Sequence, residues 1–147
     1  MDISGTFNLK IDPRKAWDLL NDVAVLQACI PGCKSLKATG PDSYEAELSA
    51  GVGPVRGAYR GTVNLKDRNA PTSYRMIVEG SGAAGFIKGE GTITLAPGAT
   101  GGTTVTVSGT AEAGGMIARV GQRLIGGAAN QMLNQFFGCL SKRARAG

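Results

Sequence analysis

The sequence predicts an α+β domain in which a curved antiparallel sheet wraps around a long C-terminal helix. Three observations carry this expectation. A strict period-two alternation opens the chain and returns in later segments, apolar pairs recur every four residues after Gly114, and 23 of the 147 residues are glycine. That glycine content is roughly twice the usual share of about 7%. The glycines lie within strand-like segments, not in a linker, and no repeat divides the chain, so residues 1–147 read as a single domain.

Residues 2–11 place Ile3, Gly5, Phe7, Leu9 and Ile11 on one face, against Asp2, Ser4, Thr6, Asn8 and Lys10 on the other. This is the pattern of a half-buried strand. Asp12-Pro13 supplies an N-cap and a proline at the first helical position. Ala16, Trp17, Leu19 and Leu20 then give a short helix an apolar side, and a second helical turn is expected over Val23–Ala28, ending before Pro31-Gly32.

Antiparallel strands follow. Tyr44, Ala46, Leu48 and Ala50 alternate with Glu45, Glu47 and Ser49, and Gly53-Pro54 marks a turn. Val55, Tyr59, Val63 and Leu65 share one face of the next strand, with Arg56, Arg60, Asn64 and Lys66 opposite. Asn69-Ala70-Pro71 breaks it, and Tyr74, Met76 and Val78 resume the alternation. Gly80–Gly85 reads as a flexible joint leading to a strand over Phe86–Leu95, and Pro97-Gly98 with Gly101-Gly102 forms the loop before a Thr/Val strand over Thr103–Ala113. One strand, two short helices, six further strands (five of them the segments just described) and a long helix are expected. Strand glycines such as Gly57, Gly61, Gly89 and Gly91 permit strong bending.

The helix carries Met116-Ile117, Val120-Gly121, Leu124-Ile125, Ala128-Ala129, Met132-Leu133, Phe136-Phe137 and Leu140 in one series, with polar pairs out of phase. A spacing of four residues exceeds the helical repeat, so the stripe drifts by ~40° per step and about 240° over six steps. Either the helix bends, with Gly126-Gly127 as the expected place, or its ends face different neighbours. Close packing on a strand is the favoured reason for these glycines; room for a ligand is the other.

All of the net charge of +5 lies in this segment. It holds Arg119, Arg123, Lys142, Arg143 and Arg145 and no acidic residue, whereas the rest of the chain balances. Cations at a helix C-terminus complement the dipole. Beside that plain reading stands contact of Lys142, Arg143 and Arg145 with anionic lipid, worth about 1 kcal/mol per cation. The segment does not interleave cations with exposed aromatics, which argues against nucleic acid. The start lacks the pattern of a signal peptide and no run approaches ~18 apolar residues, so a cytoplasmic chain with reduced thiols is expected, any contact being peripheral at the inner face of the cell membrane.

Histidine is absent, which removes the commonest general base and metal ligand. Cys29-Ile30-Pro31-Gly32-Cys33 offers two thiolates with Cys139 as a distant third, too few for a usual zinc site, and a tight turn with buried cysteines is the simpler reading. Gly51-Val52-Gly53-Pro54 and Gly80–Gly85 lie between strands and match no phosphate loop. Tyr59, Glu79 and Glu90 form no nucleophile–base pair. Neither a catalytic residue nor a metal ligand is assigned.

Taken in order, four motifs carry a resemblance. Cys29–Cys33, Gly51-Val52-Gly53-Pro54-Val55-Arg56-Gly57, Gly82-Ala83-Ala84-Gly85-Phe86-Ile87-Lys88-Gly89 and Val120-Gly121-Gln122-Arg123-Leu124-Ile125 are together similar to the carbon monoxide dehydrogenase CoxG family, within the START-like SRPBCC superfamily. The resemblance implies a helix-grip fold, seven strands gripping the C-terminal helix over an apolar cavity. It also implies an accessory role beside a molybdenum- and flavin-containing dehydrogenase of the CO or aldehyde/xanthine type, with membrane placement and quinone binding among the roles considered. Some relatives carry a tail beyond the helix; this sequence ends at Gly147, and tail-based anchoring is not expected.

The expected function is therefore non-enzymatic binding of an apolar ligand, an isoprenoid quinone or another lipid, with no covalent cofactor. Leu48, Tyr59, Met76, Val78, Phe86, Met116, Val120, Leu124 and Met132 are the expected lining, with the Tyr59 hydroxyl offered to a quinone carbonyl. Gly82, Gly85, Phe86 and Lys88 are candidates for a gate or partner contact. The alternatives are a membrane recruiter or assembly factor with an incidental cavity, and an enzyme of the cyclase or hydrolase kind, against which the lack of histidine argues.

Overall fold

Local signals set the order of elements: β1 (Asp2–Leu9), α1 (Pro13–Leu20), α2 (Val23–Cys29), β2 (Cys33–Gly40), β3 (Ser43–Val52), β4 (Val55–Asn69), β5 (Ser73–Gly82), β6 (Gly85–Pro97), β7 (Thr103–Gly115), α3 (Met116–Arg119) and α4 (Gln122–Ala146). This computed structural model describes residues 2–52, 55–83, 85–99 and 101–146, with side chains described for all of these except 50–52, 55–56 and 145–146. Of the Gly51–Gly57 motif, Gly53 and Pro54 thus lie outside the described residues. Asp12 caps α1 by accepting from the Lys15 N–H at 2.9 Å, and Asp22 caps α2 by accepting from Ala24 at 2.9 Å and Val25 at 3.3 Å.

The seven strands form one antiparallel sheet in the order β1-β7-β6-β5-β4-β3-β2. This is the helix-grip arrangement. Within it β2 had no legible alternation, because bulges between Cys33 and Ser35 and between Ala38 and Gly40 interrupt its period and Leu36 is its one buried side chain. Gly80–Gly82 belong to a strand and not to a joint: β5 continues through Gly82, which pairs with Gly85 at the start of β6.

The C-terminal helix also differs from the expected single rod. It breaks at Val120–Gly121, where Gly121 takes φ +94, and α3 is preceded by Gly115 at φ +72. Both angles lie in the left-handed region that favours glycine. Gly126-Gly127 does not interrupt the helix, since α4 runs through it. Close packing does not explain Gly127, which is exposed and has nothing within 4 Å of where a methyl group would sit. The drift of the apolar stripe is resolved by different neighbours for the two pieces: α3 approaches β7 and β6, whereas α4 approaches β1, α2 and β3.

The main core gathers at one end of the inner sheet face. Phe137 of α4 stacks on Phe7 with ring centroids 4.2 Å apart, and Trp17 of α1 meets Tyr74 edge-on at 5.2 Å. Leu9, Val105 and Leu140 are fully buried beside them. The buried Thr103 hydroxyl donates to the Ile11 carbonyl at 2.7 Å, and Arg68 ties Asp42 and Asn21 to the end of β4. Cys29 and Cys139, with Cα atoms 5.4 Å apart, form a disulfide between α2 and α4. This corrects the expectation of three reduced thiols: sequence spacing singled out Cys29 with Cys33, but packing of α4 on α2 brings Cys139 to Cys29. Cys33 remains a thiol, and burial pushes its pKa up, opposed in part by a backbone hydrogen bond at Ser35. Thiol alkylation followed by mass spectrometry is expected to label Cys33 alone, and slowly at neutral pH, before reduction and all three cysteines after reduction and unfolding.

Burial also pushes the Tyr74 hydroxyl well above the ordinary tyrosine range, against the pull of Arg68. Its neutral form is favoured in the folded chain, so this contribution is complete below the unfolded value of about pH 10 and is lost as the pH rises past it. Denaturant titrations are expected to show stability falling above about pH 10, with a shallower fall for Tyr74→Phe.

Candidate functional site

Register and alternation together fix the inner face of the sheet. Counting from the end where β7 passes into α3, the first row across β3 to β7 is Leu48, Tyr59, Gly82, Gly85 and Gly115. The second is Ala46, Gly61, Gly80, Ile87 and Ala113, and the third Tyr44, Val63, Val78, Gly89 and Ala111. The fourth crosses β4 to β1 as Leu65, Met76, Gly91, Gly109 and Ile3. Beyond it, Tyr74, Ile93 and Val107, then Leu95, Val105 and Phe7, form the crowded end. Large side chains fill one end of the face, and glycine and alanine floor much of the other.

Two separate apolar clusters reflect that division. The large one includes Phe7, Trp17, Tyr74, Val105, Phe137 and Leu140, with Met76 and Val63 packed against it. The small one joins Ile117 of α3 to Ile125 of α4, with Tyr59, Ile87, Ala113 and Val120 against them. Between lie Ile3, Leu48, Val78 and Met132, half-buried and belonging to neither cluster. Since α4 comes closest to the sheet at β1 and β3, it bridges the central strands, and the glycine-floored inner face lies beneath this bridge.

The Tyr59 hydroxyl is the one described buried side-chain oxygen or nitrogen without a hydrogen-bond partner. A buried hydroxyl left unpaired costs about 1–3 kcal/mol. Tyr59 stands on the first row beside Leu48 and Gly82, packed against the small cluster. It supplies a single donor and acceptor on an otherwise apolar wall.

The structure distributes the other expected residues unevenly. Leu48, Met76, Val78, Val120 and Met132 are half-buried, Met76 against the large cluster and Val120 against the small one. Phe86 is not on the inner face. Inner positions of β6 are odd-numbered, so Phe86 points outward, where its ring covers Gly114 and takes the Lys88 ammonium 5.6 Å from its centroid. Met116 and Leu124 are 56% and 45% exposed, on the rim and not within an enclosed lining. Gly82 and Gly85 lie on the first row, whereas Lys88 is on the outer face opposite Glu79 and Glu112. An open depression of about 460 Å³ on that outer face is lined by Glu47, Arg60, Glu79, Phe86 and Lys88 among others. Its charges are mixed, with Arg60 and Glu47 3.8 Å apart. Lys142 and Arg143 are exposed on the last turns of α4, and the side chain of Arg145 lies outside the described residues.

Of the small cluster, Tyr59 and Val120 were expected lining but Ile87, Ala113, Ile117 and Ile125 were not. Of the inner glycines, Gly82 and Gly85 were expected as a gate or partner contact, and Gly80, Gly89 and Gly91 were not singled out one by one as a floor. The signal was present: Gly85, Gly89 and Gly91 share parity in one strand, as do Gly80 and Gly82 in its neighbour. Among the described residues no three Cys, Asp or Glu side chains gather as a metal site. What the arrangement offers is apolar contact, space for a side chain at Gly80, and one hydroxyl.

A family model for CoxG, a carbon monoxide dehydrogenase subunit, matches residues 5–145. The chain belongs to the CoxG family. The crystal structure of a conserved protein from Geobacillus kaustophilus is 36% identical and superposes with a TM-score of 0.94, covering 99% of this chain and 96% of that one. A START superfamily protein from Mycobacterium smegmatis shares the fold at 11% identity and TM-score 0.76, over 99% and 97% of the two chains. A protein from Chromobacterium violaceum does so at 16% identity and TM-score 0.71, over 96% and 95%. No curated protein matches the sequence. The family match includes the Cys29–Cys33, Gly82–Gly89 and Val120–Ile125 motifs, which the fold places at the end of α2, along the β5–β6 hairpin and at the break between α3 and α4.

For this CoxG-family chain the unpaired hydroxyl yields a direct test. Tyr59→Phe is expected to raise the stability of the ligand-free protein by about 1–3 kcal/mol, read as a higher denaturation midpoint with unchanged slope.

Proposed function

We propose that this chain is a non-catalytic carrier of a long apolar ligand, an isoprenoid quinone, serving a molybdenum- and flavin-containing dehydrogenase. The observation that carries the reading is the unpartnered Tyr59 hydroxyl at the end of a glycine-floored inner face. A quinone matches both parts. Its carbonyl accepts from the tyrosine, and its isoprenoid tail buries apolar area at roughly 25 cal/mol per Å². Few polar contacts are then needed, in keeping with the few the site provides. The CoxG family name supplies the association with a dehydrogenase, and the START-like fold is in keeping with hydrophobic ligand binding.

Binding is favoured over chemistry because the sequence has no histidine and the described inner rows carry no paired acid and base. A membrane recruiter with an incidental cavity is the second reading, favoured by the exposed Met116 and Leu124. The two differ in what a filled cavity does.

Gly80 provides the means to fill it. A methyl group there would meet only the Arg60 carbonyl, at 3.9 Å, so a side chain fits without pressing on the backbone. Gly80 sits between Gly61 and Ile87 on the second row, and a leucine would occupy the space in front of them. Protein purified from its native host, extracted with organic solvent and measured by mass spectrometry, is expected to release an isoprenoid quinone. Gly80→Leu is expected to lose it while keeping the native circular dichroism. A wild-type extract free of apolar ligand, with no binding of menaquinone on titration, would contradict the reading.

A further inference from the structure

We propose that the corner joining α3 to α4 docks on an anionic lipid bilayer, with Met116 and Leu124 entering the interface and Arg119 and Arg123 reaching the lipid phosphates. This rests on the apolar-carrier reading, for which it supplies the route between hydrocarbon and cavity.

Among the described residues, the exposed large hydrophobics are Phe86, Met116 and Leu124. Phe86 is accounted for by Gly114 beneath it and Lys88 beside it. The other two belong to the corner. Each precedes an isoleucine that is buried in the small cluster, Ile117 and Ile125, so the inner side of the corner is held in place while its outer side leaves two flexible apolar side chains in water.

The charge fits the same partner. Arg119 and Arg123 are exposed, take part in none of the described ion pairs, and lie in a segment without an acidic residue after Glu112. Apolar side chains flanked by arginines suit the boundary between headgroups and acyl chains, where burial and attraction to anionic lipid add. A protein partner suits the corner less well. A stable interface needs roughly 800 Å² on each side and a core depleted of charge, whereas this corner is one short turn carrying two arginines.

Position gives the contact its use. The corner packs on Tyr59 and Ile87 at the first two rows of the inner face, so a bilayer against Met116 would lie next to the glycine-floored space. The α4 C-terminus lacks this combination: Lys142 and Arg143 are exposed there, but the neighbouring Phe137 and Leu140 are buried inward. Membrane contact is thereby moved from the C-terminus to the α3–α4 corner. No described helix is long and apolar enough to cross a membrane, so docking leaves the chain at the surface.

Co-sedimentation with vesicles of phosphatidylcholine, with and without phosphatidylglycerol, tests the proposal on the full chain. Wild type is expected to bind the anionic vesicles, more weakly as salt rises. The double substitution Met116→Asp and Leu124→Asp is expected to abolish binding, and Arg119→Gln with Arg123→Gln to weaken it on the order of thirty-fold. Neutralising Lys142, Arg143 and Arg145 should leave it within about two-fold. Circular dichroism and melting of each variant show that the fold persists, and if the aspartates unfold the chain, Met116→Ser with Leu124→Ser replaces them. Wild type that ignores anionic vesicles, corner variants that bind as wild type, or a loss confined to the C-terminal variant would each overturn the proposal. Menaquinone titration in solution separates the two readings: ligand binding without vesicle binding sinks the docking surface alone, and vesicle binding without ligand sinks the carrier.

Discussion

The seating of Phe137 on Phe7 is the interaction on which the rest of the architecture depends. It fixes the C-terminal half of α4 at the crowded end of the sheet, beside Leu140 and the Cys29–Cys139 bridge. With that end held, the remainder of α4 must extend over rows where the central strands carry glycine and alanine. Interiors normally pack densely, and here the dense packing divides into two clusters with half-buried residues between them. The break at Gly121 lets Ile117 of α3 turn onto β6 and β7 and meet Ile125 of α4 in the small cluster.

Glycine has two tasks in this sheet. At Gly109 a side chain would press on the Glu90 carbonyl and on Gly91, so the residue is required by close strand approach. At Gly80 a methyl group would meet only the Arg60 carbonyl, at 3.9 Å, so a side chain fits there. The first kind lets strands approach closely, and the second leaves a place where a side chain would fit. In such an environment an unpaired hydroxyl stands out, because a polar group without a partner is costly in a dry interior. A ligand with a long apolar tail and a single accepting head would relieve both features.

Much of the fold was legible in the sequence because its signals are local. The alternation of β1, the Asp12-Pro13 cap and the glycine turns each reflect a backbone preference expressed within a few residues. The features that escaped depend on tertiary packing or on irregularity. Bulges hide β2, and the Cys29–Cys139 pair spans 110 residues of sequence. The helix break fell at Gly121, where a left-handed backbone turns the chain, and not at the adjacent pair Gly126-Gly127, where two glycines looked the weaker point. The sheet face of a residue was legible where parity could be read: Tyr59 and Val78 fall on the inner face with their strand neighbours, whereas Phe86 entered the expected lining on hydrophobicity although its even position turns it outward.

The central claim is that the Tyr59 hydroxyl meets a ligand oxygen inside the grip. Infrared difference spectra of menaquinone labelled with ¹³C at its carbonyls, bound to wild type and to Tyr59→Phe, address that contact directly. A carbonyl band lowered in frequency in wild type and returned to its apolar-solvent position in the variant is the predicted result. Identical bands in the two proteins, with the quinone bound in both, would contradict the account.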